Sequence, residues 1–107
     1  MFIVVYEMHA HPGQEEAFEA AWAEVTDAIY ERQGSLGSRL HRGQGEGLYI
    51  AYAQWPSPEA FQNNDPERYD DSQRAAIARM QGTIKHADIL HMLTVADDRL
   101  HQSPAKT

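Results

Sequence analysis

The sequence predicts an α+β domain of the ferredoxin-like split βαβ class, a four-stranded antiparallel sheet with its helices on one face. Three observations carry that prediction. Hydrophobic periodicity gives the order strand, helix, strand, strand, helix, strand; residues 14–33 repeat apolar side chains at helical spacing; and three of the four strand-like runs are apolar on both alternating faces.

In the first run, FIVVYEM, Phe2, Val4, Tyr6 and Met8 point to one side and Ile3 and Val5 to the other, the pattern of a strand covered twice. Pro12-Gly13 ends it. The helix that follows carries Phe18, Trp22, Val25 and Ile29 on one stripe. Glu15 and Glu16 lie in its first turn, where negative charge suits the helix dipole, and Gly34 closes it. LGSRLHR and LYIAYAQW are strands joined across Gly43-Gln44-Gly45-Glu46-Gly47, a hairpin connection by composition. Ser57-Pro58-Glu59 supplies a capping hydroxyl, a proline for the first helical position and an acid for the first turn, so a short helix starts there; Asp65-Pro66 repeats the signal. A further helix within residues 66–82 aligns Tyr69, Gln73, Ala76, Ile77 and Met80. The last strand, ADILHMLTV, sets Ile89, His91, Leu93 and Val95 against Leu90, Met92 and Thr94. The domain is expected to span residues 1–98, with a tail at 99–107.

Two crossovers cover only one face of such a sheet. The second apolar face therefore needs another supplier, and the simplest is a second copy of the chain packed sheet against sheet as a homodimer.

Composition removes several functions. Nine Lys and Arg against sixteen Asp and Glu leave a net charge of −7, which offers nothing to nucleic acid or to an anionic membrane surface. The absence of cysteine excludes disulfides, thiolate metal sites and a cysteine nucleophile, and fits a reducing compartment. Apolar runs are too short to span a bilayer. A soluble cytoplasmic protein is expected.

The segments HPGQEEAFEAAWAEV, GSLGSRLHR and AYAQWPSPEAF, in that order and spacing, resemble the antibiotic biosynthesis monooxygenase domain family over roughly residues 2–95. The resemblance implies a dimeric α+β barrel with a pocket between sheet and helices in each subunit. It is strongest with quinone-forming members that use oxygen without metal or flavin, so no cofactor is expected. Their pattern puts an asparagine where Ala51 stands, a tryptophan at Trp55, a tyrosine where Phe61 stands and an arginine matched by Arg74. On that likeness Trp55 and Arg74 are candidate catalytic residues, and Tyr6, Ala51 and Phe61 are candidates for substrate binding. Haem-degrading members need an axial histidine on the later helix, yet no histidine lies between His41 and His86, which disfavours haem chemistry.

Oxygenation of a phenol or anthrone without a cofactor asks for an apolar wall, a proton acceptor and a donor aimed at the developing oxyanion. His41 and His91 titrate in the right range to be the acceptor. His9 and His11 project to one side but have no third metal ligand nearby, so no metal site is expected. The sequence thus points to a cofactor-independent monooxygenase acting on a small aromatic or quinone-type compound. The alternative is a non-catalytic homodimer that binds such a compound.

Overall fold

A computed structural model describes residues 1–101. Residues 102–107 of the expected tail lie outside the described residues.

Strand β1 (Phe2–Ala10) is followed by helix α1 (Glu15–Gln33), strands β2 (Gly37–Arg42) and β3 (Leu48–Trp55), helix α2 (Pro58–Gln62), a single 3₁₀ turn (Pro66–Arg68), helix α3 (Asp71–Thr83) and strand β4 (Ile84–Thr94). The strands form one antiparallel sheet in the order β2-β3-β1-β4. This is the predicted ferredoxin-like arrangement, with both crossovers on one side.

The local signals act as their chemistry requires. Gly34 takes a left-handed conformation, φ 78°, and stops α1. Ser57 Oγ accepts the Ala60 amide at 3.1 Å, and Pro58 opens α2. Asp65-Pro66 starts only the 3₁₀ turn, because Asp70 provides the better cap. Its side chain accepts the Gln73 amide at 2.8 Å while Gln73 Oε1 accepts the Asp70 N–H at 2.9 Å, a reciprocal capping box that sets the start of α3. At the hairpin, Gly47 has φ 73°, and a Cβ there would sit 2.9 Å from the carbonyl oxygen of Ala10, so only glycine fits. The close approach lets Ala10 donate its N–H to the Gly47 carbonyl at 2.9 Å.

Helix α1 lies across β1 and β3. Phe18, fully buried, stacks on Tyr49 with ring centroids 4.6 Å apart and meets Met8, Ala10 and Ala51; a second cluster joins Phe2, Val4, Ala53 and Trp55. Helix α3 packs along α1 through buried Ala76, with the ion pairs Arg79–Glu24 and Arg32–Asp70 at its rim.

Strand β4 departs from the expected pattern in two ways. It begins at Ile84, three residues before the run read as a strand, and it is bulged: Val5 pairs with His91 but Tyr6 with Ile89, leaving Leu90 extra. Cross-strand partners share a face, so Ile89 joins Tyr6 on the helix side and His91 joins Val5 on the other, although simple alternation puts Ile89 and His91 together. The helices also stop short of this edge. Ile89 and Met92, on the helix side, are 49% and 60% exposed; Leu93, on the other face, is 46% exposed.

Candidate functional site

Between the sheet and α1 lies an apolar cavity of about 250 Å³. Its floor is built from alternate residues of the two central strands: Tyr6 and Met8 from β1, and Ala51, Ala53 and Trp55 from β3. Period-two alternation puts all five on the helix side. The two alanines are buried but short, and the space they leave beside the indole is part of the cavity. Trp22, Val25, Thr26 and Ile29 of α1 form the roof. Ser35 and Ser38 close the end nearest Trp55, and Met80, Ile84 and Ala87 contribute the remaining wall. None of these side chains carries a full charge at neutral pH.

Two side chains in the lining carry notable polar groups. Trp55 is 3% exposed, and its indole Nε1–H is buried with no hydrogen-bond partner among the described residues. A buried donor without an acceptor costs free energy, about 1–3 kcal/mol. Tyr6 is half-buried, and burial raises its phenol above the usual pKa near 10, so it stays a neutral hydroxyl.

The candidate residues read from the sequence divide. Tyr6, Ala51 and Trp55 are brought together on the cavity floor. Phe61 packs behind the indole instead, edge-on to Trp55 at 5.5 Å between centroids and 6.0 Å from Phe2, and fixes the ring without bordering the cavity. Arg74 lies on the outer side of α3, where it reaches Asp71 and the carbonyl oxygen of Glu67, each at 3.4 Å. His41 and His91 face away from the helices, His41 with Nδ1 3.0 Å from the Ile50 carbonyl oxygen. His9 pairs with Glu7 at 2.8 Å and stacks on His86, with ring centroids 4.4 Å apart, on that same outer face. Among the described residues no three His, Asp or Glu side chains are placed to hold a metal ion.

Sequence reasoning missed much of the roof and both ends. Trp22 and Val25 were visible only as members of a helical stripe, which reads the same over a packed core as over a void. Met80 was visible only as the end of the weaker stripe within residues 66–82, and Ser35 and Ser38 were not singled out.

A second, shallower cleft opens beside the hairpin, where Glu19 accepts two hydrogen bonds from Arg42, each 2.9 Å, and one from the Tyr49 hydroxyl at 2.6 Å. Arg42 and then Tyr49 hold the Glu19 carboxyl down to about 2, while burial and then Glu19 push the Tyr49 phenol up to about 12. Each partner of this group is satisfied within it. It ties α1 to the hairpin and leaves nothing pointing at a ligand.

The family model for antibiotic biosynthesis monooxygenases matches residues 1–64, more than half of the chain. The chain belongs to that family. Solved structures agree on the fold of this monooxygenase-family chain. SnoaB, a cofactor-independent oxygenase from Streptomyces nogalater, superimposes with a TM-score of 0.70 at 15% identity, over 94% of this chain and 97% of that one. A Caulobacter crescentus structure assigned to the antibiotic biosynthesis monooxygenases gives 0.69 at 22% identity, over 90% of each chain. One from Chloroflexus aurantiacus gives 0.71 at 21%, over 92% of this chain and 95% of that. At such identities the likeness is one of fold. No curated protein is similar enough in sequence to match the chain.

Proposed function

We propose that this family member binds a small phenol or related aromatic in the cavity beneath α1 and oxidises it to a quinone with molecular oxygen, using no metal or organic cofactor. The observation that carries the reading is the mainly apolar space beneath α1, with the Trp55 ring and the neutral Tyr6 side chain both among the residues that line it. The Tyr6 hydroxyl, neutral and in the same lining, is the donor that stabilises negative charge developing on the phenolic oxygen as the ring gives up an electron to oxygen.

The overall change balances without a reductant. A phenol with a free para position and one O₂ give the para-quinone and one water. One oxygen atom becomes the new carbonyl, and the other leaves as water with the phenolic hydrogen and the para hydrogen. Four electrons pass from the ring to oxygen.

The proposal includes the homodimer. The exposed Leu93 of β4, opposite Ile3 on the face away from the helices, supports two copies packed sheet against sheet. The net charge of −7 and the lack of cysteine support a cytoplasmic protein without nucleic acid or membrane partners.

Oxygen uptake tests the reaction. With α-naphthol or an anthrone, uptake above the protein-free rate, one O₂ consumed per quinone formed, is expected. A second reading, a non-catalytic binding dimer, is favoured by the wall itself, where no carboxylate or imidazole is present to take the phenolic proton. Binding without oxygen uptake selects it.

A further inference from the structure

We infer that the pairing of the two copies is governed by pH: the outer sheet faces meet while their histidines are neutral and part as these gain protons. The inference rests on the sheet-to-sheet dimer of the proposed function, and not on the cavity or its reaction.

Strand register sorts the residues of that face. Val5, Ile50 and Tyr52 form a partly exposed apolar centre. Around it stand His9 on β1, His41 on β2, and His86 and His91 on β4. Four of the six histidines in the chain thus share the one surface that the dimer would bury. Histidine is the side chain whose charge ordinarily changes between about pH 5 and pH 8.

The other charged groups there are few. Arg39 on β2 stands against Glu7 on β1 and Asp88 on β4, and β3 adds only the phenol of Tyr52. With neutral imidazoles the face is nearly balanced. With all four protonated, five cations meet two carboxylates, an excess of three before Lys85, next to His86 in the bulge, is counted. A two-fold dimer sets that excess against its like.

Local geometry points the same way. His9 and His86 stack with ring centroids 4.4 Å apart, close enough for two imidazolium rings to repel. Glu7, 2.8 Å from His9, and Asp88, 3.5 Å from His86, answer those two charges. His41 is held by the Ile50 carbonyl oxygen instead, and His91 lies opposite Val5. A partner sheet strips water from all of them, and burying a cation without a counter-charge costs more than burying a neutral ring. The separated copies therefore bind more protons than the dimer, and falling pH draws the equilibrium toward single chains.

The charge of the whole molecule predicts the opposite sign. Two chains of net charge −7 repel at neutral pH, and acid relieves that repulsion, so a general charge effect would tighten the dimer as pH falls.

Sedimentation equilibrium at pH 8 and pH 6 separates the two, because at pH 6 an ordinary histidine is about three-quarters protonated. The wild-type dimer Kd is expected to rise by about tenfold or more between pH 8 and pH 6. In a variant combining His9→Gln, His41→Gln, His86→Gln and His91→Gln it should rise by less than about threefold. A wild-type Kd that is unchanged or lower at pH 6 overturns the inference, and so does an equal rise in the variant. If circular dichroism shows that the fourfold variant does not fold, His41→Gln with His91→Gln, at two exposed positions, should remove about half of the shift on a logarithmic scale; an unreduced shift is again fatal. A dimer indifferent to pH overturns this inference and keeps the assembly. Single chains at both pH values overturn both.

Discussion

The side chain of Gln33 grips the backbone of Asp65 twice: Nε2 donates to the Asp65 carbonyl at 2.8 Å, and Oε1 accepts the Asp65 N–H at 3.1 Å. The same Oε1 also accepts from Arg68 at 2.9 Å, and Gln33 is 5% exposed. One buried amide at the end of α1 thus holds the turn between α2 and α3. Gln33→Ala leaves that backbone pair without partners, at a cost of about 2–3 kcal/mol. Urea denaturation measures the loss, and amide exchange should quicken first around residues 65–69. An unchanged midpoint would show the grip to be dispensable.

Trp55 separates packing from binding by the size of its two truncations. Trp55→Phe keeps an aromatic ring against Phe61 and removes a donor that has no partner, so the ligand-free protein should lose less than about 1.5 kcal/mol. Trp55→Ala removes the ring and should cost about 3–5 kcal/mol. Equal losses in thermal melts would mean that the N–H is satisfied in solution.

Filling the cavity should abolish binding while sparing the fold. Ala53→Leu pushes a larger side chain into empty space, not into packed atoms, so stability should change by no more than about 1–2 kcal/mol. α-Naphthol affinity should fall by about tenfold or more. Retained affinity would place the ligand elsewhere.

The Glu19 group predicts acid sensitivity of known sign. Its folded pKa, about 2, lies below the ordinary value of 4.5, so its contribution is complete above pH 4.5 and is lost as pH falls toward 2. The site is exposed, so the effect is small and salt-dependent. Glu19→Gln should flatten the fall in melting temperature between those pH values, and a profile parallel to wild type would refute the assignment.

Light scattering at micromolar concentration should give twice the chain mass. Leu93→Glu, on the outer face opposite Ile3, should give the single-chain mass with the sheet intact by circular dichroism. A monomeric wild type would remove the sheet-to-sheet assembly.

Element order was legible because caps and alternation act locally: Gly34, Ser57-Pro58 and the apolar parity of β3 each determine structure within a few residues. The helix stripe of Trp22 and Val25 did not reveal a void, since the stripe records which side faces inward and not what waits there. The facing of His91 was hidden for another reason. Parity arguments fail across a bulge, and nothing about Leu90 marks it as the extra residue. Gln33 was hidden because a glutamine at a helix end looks like surface until its partner, 32 residues away, is brought to it.

That strand also shows where the chain's length is free to drift. Eleven residues of β4 run beside nine of β1, and the surplus is Leu90, between the partners of Val5 and Tyr6, and Lys85, between those of His9 and Ala10. Deleting either leaves every other residue opposite its present partner, whereas a deletion between the two bulges and away from them turns part of the strand over to the opposite face unless a bulge is absorbed. Among relatives of differing length, a one-residue gap in this strand belongs at Leu90 or Lys85.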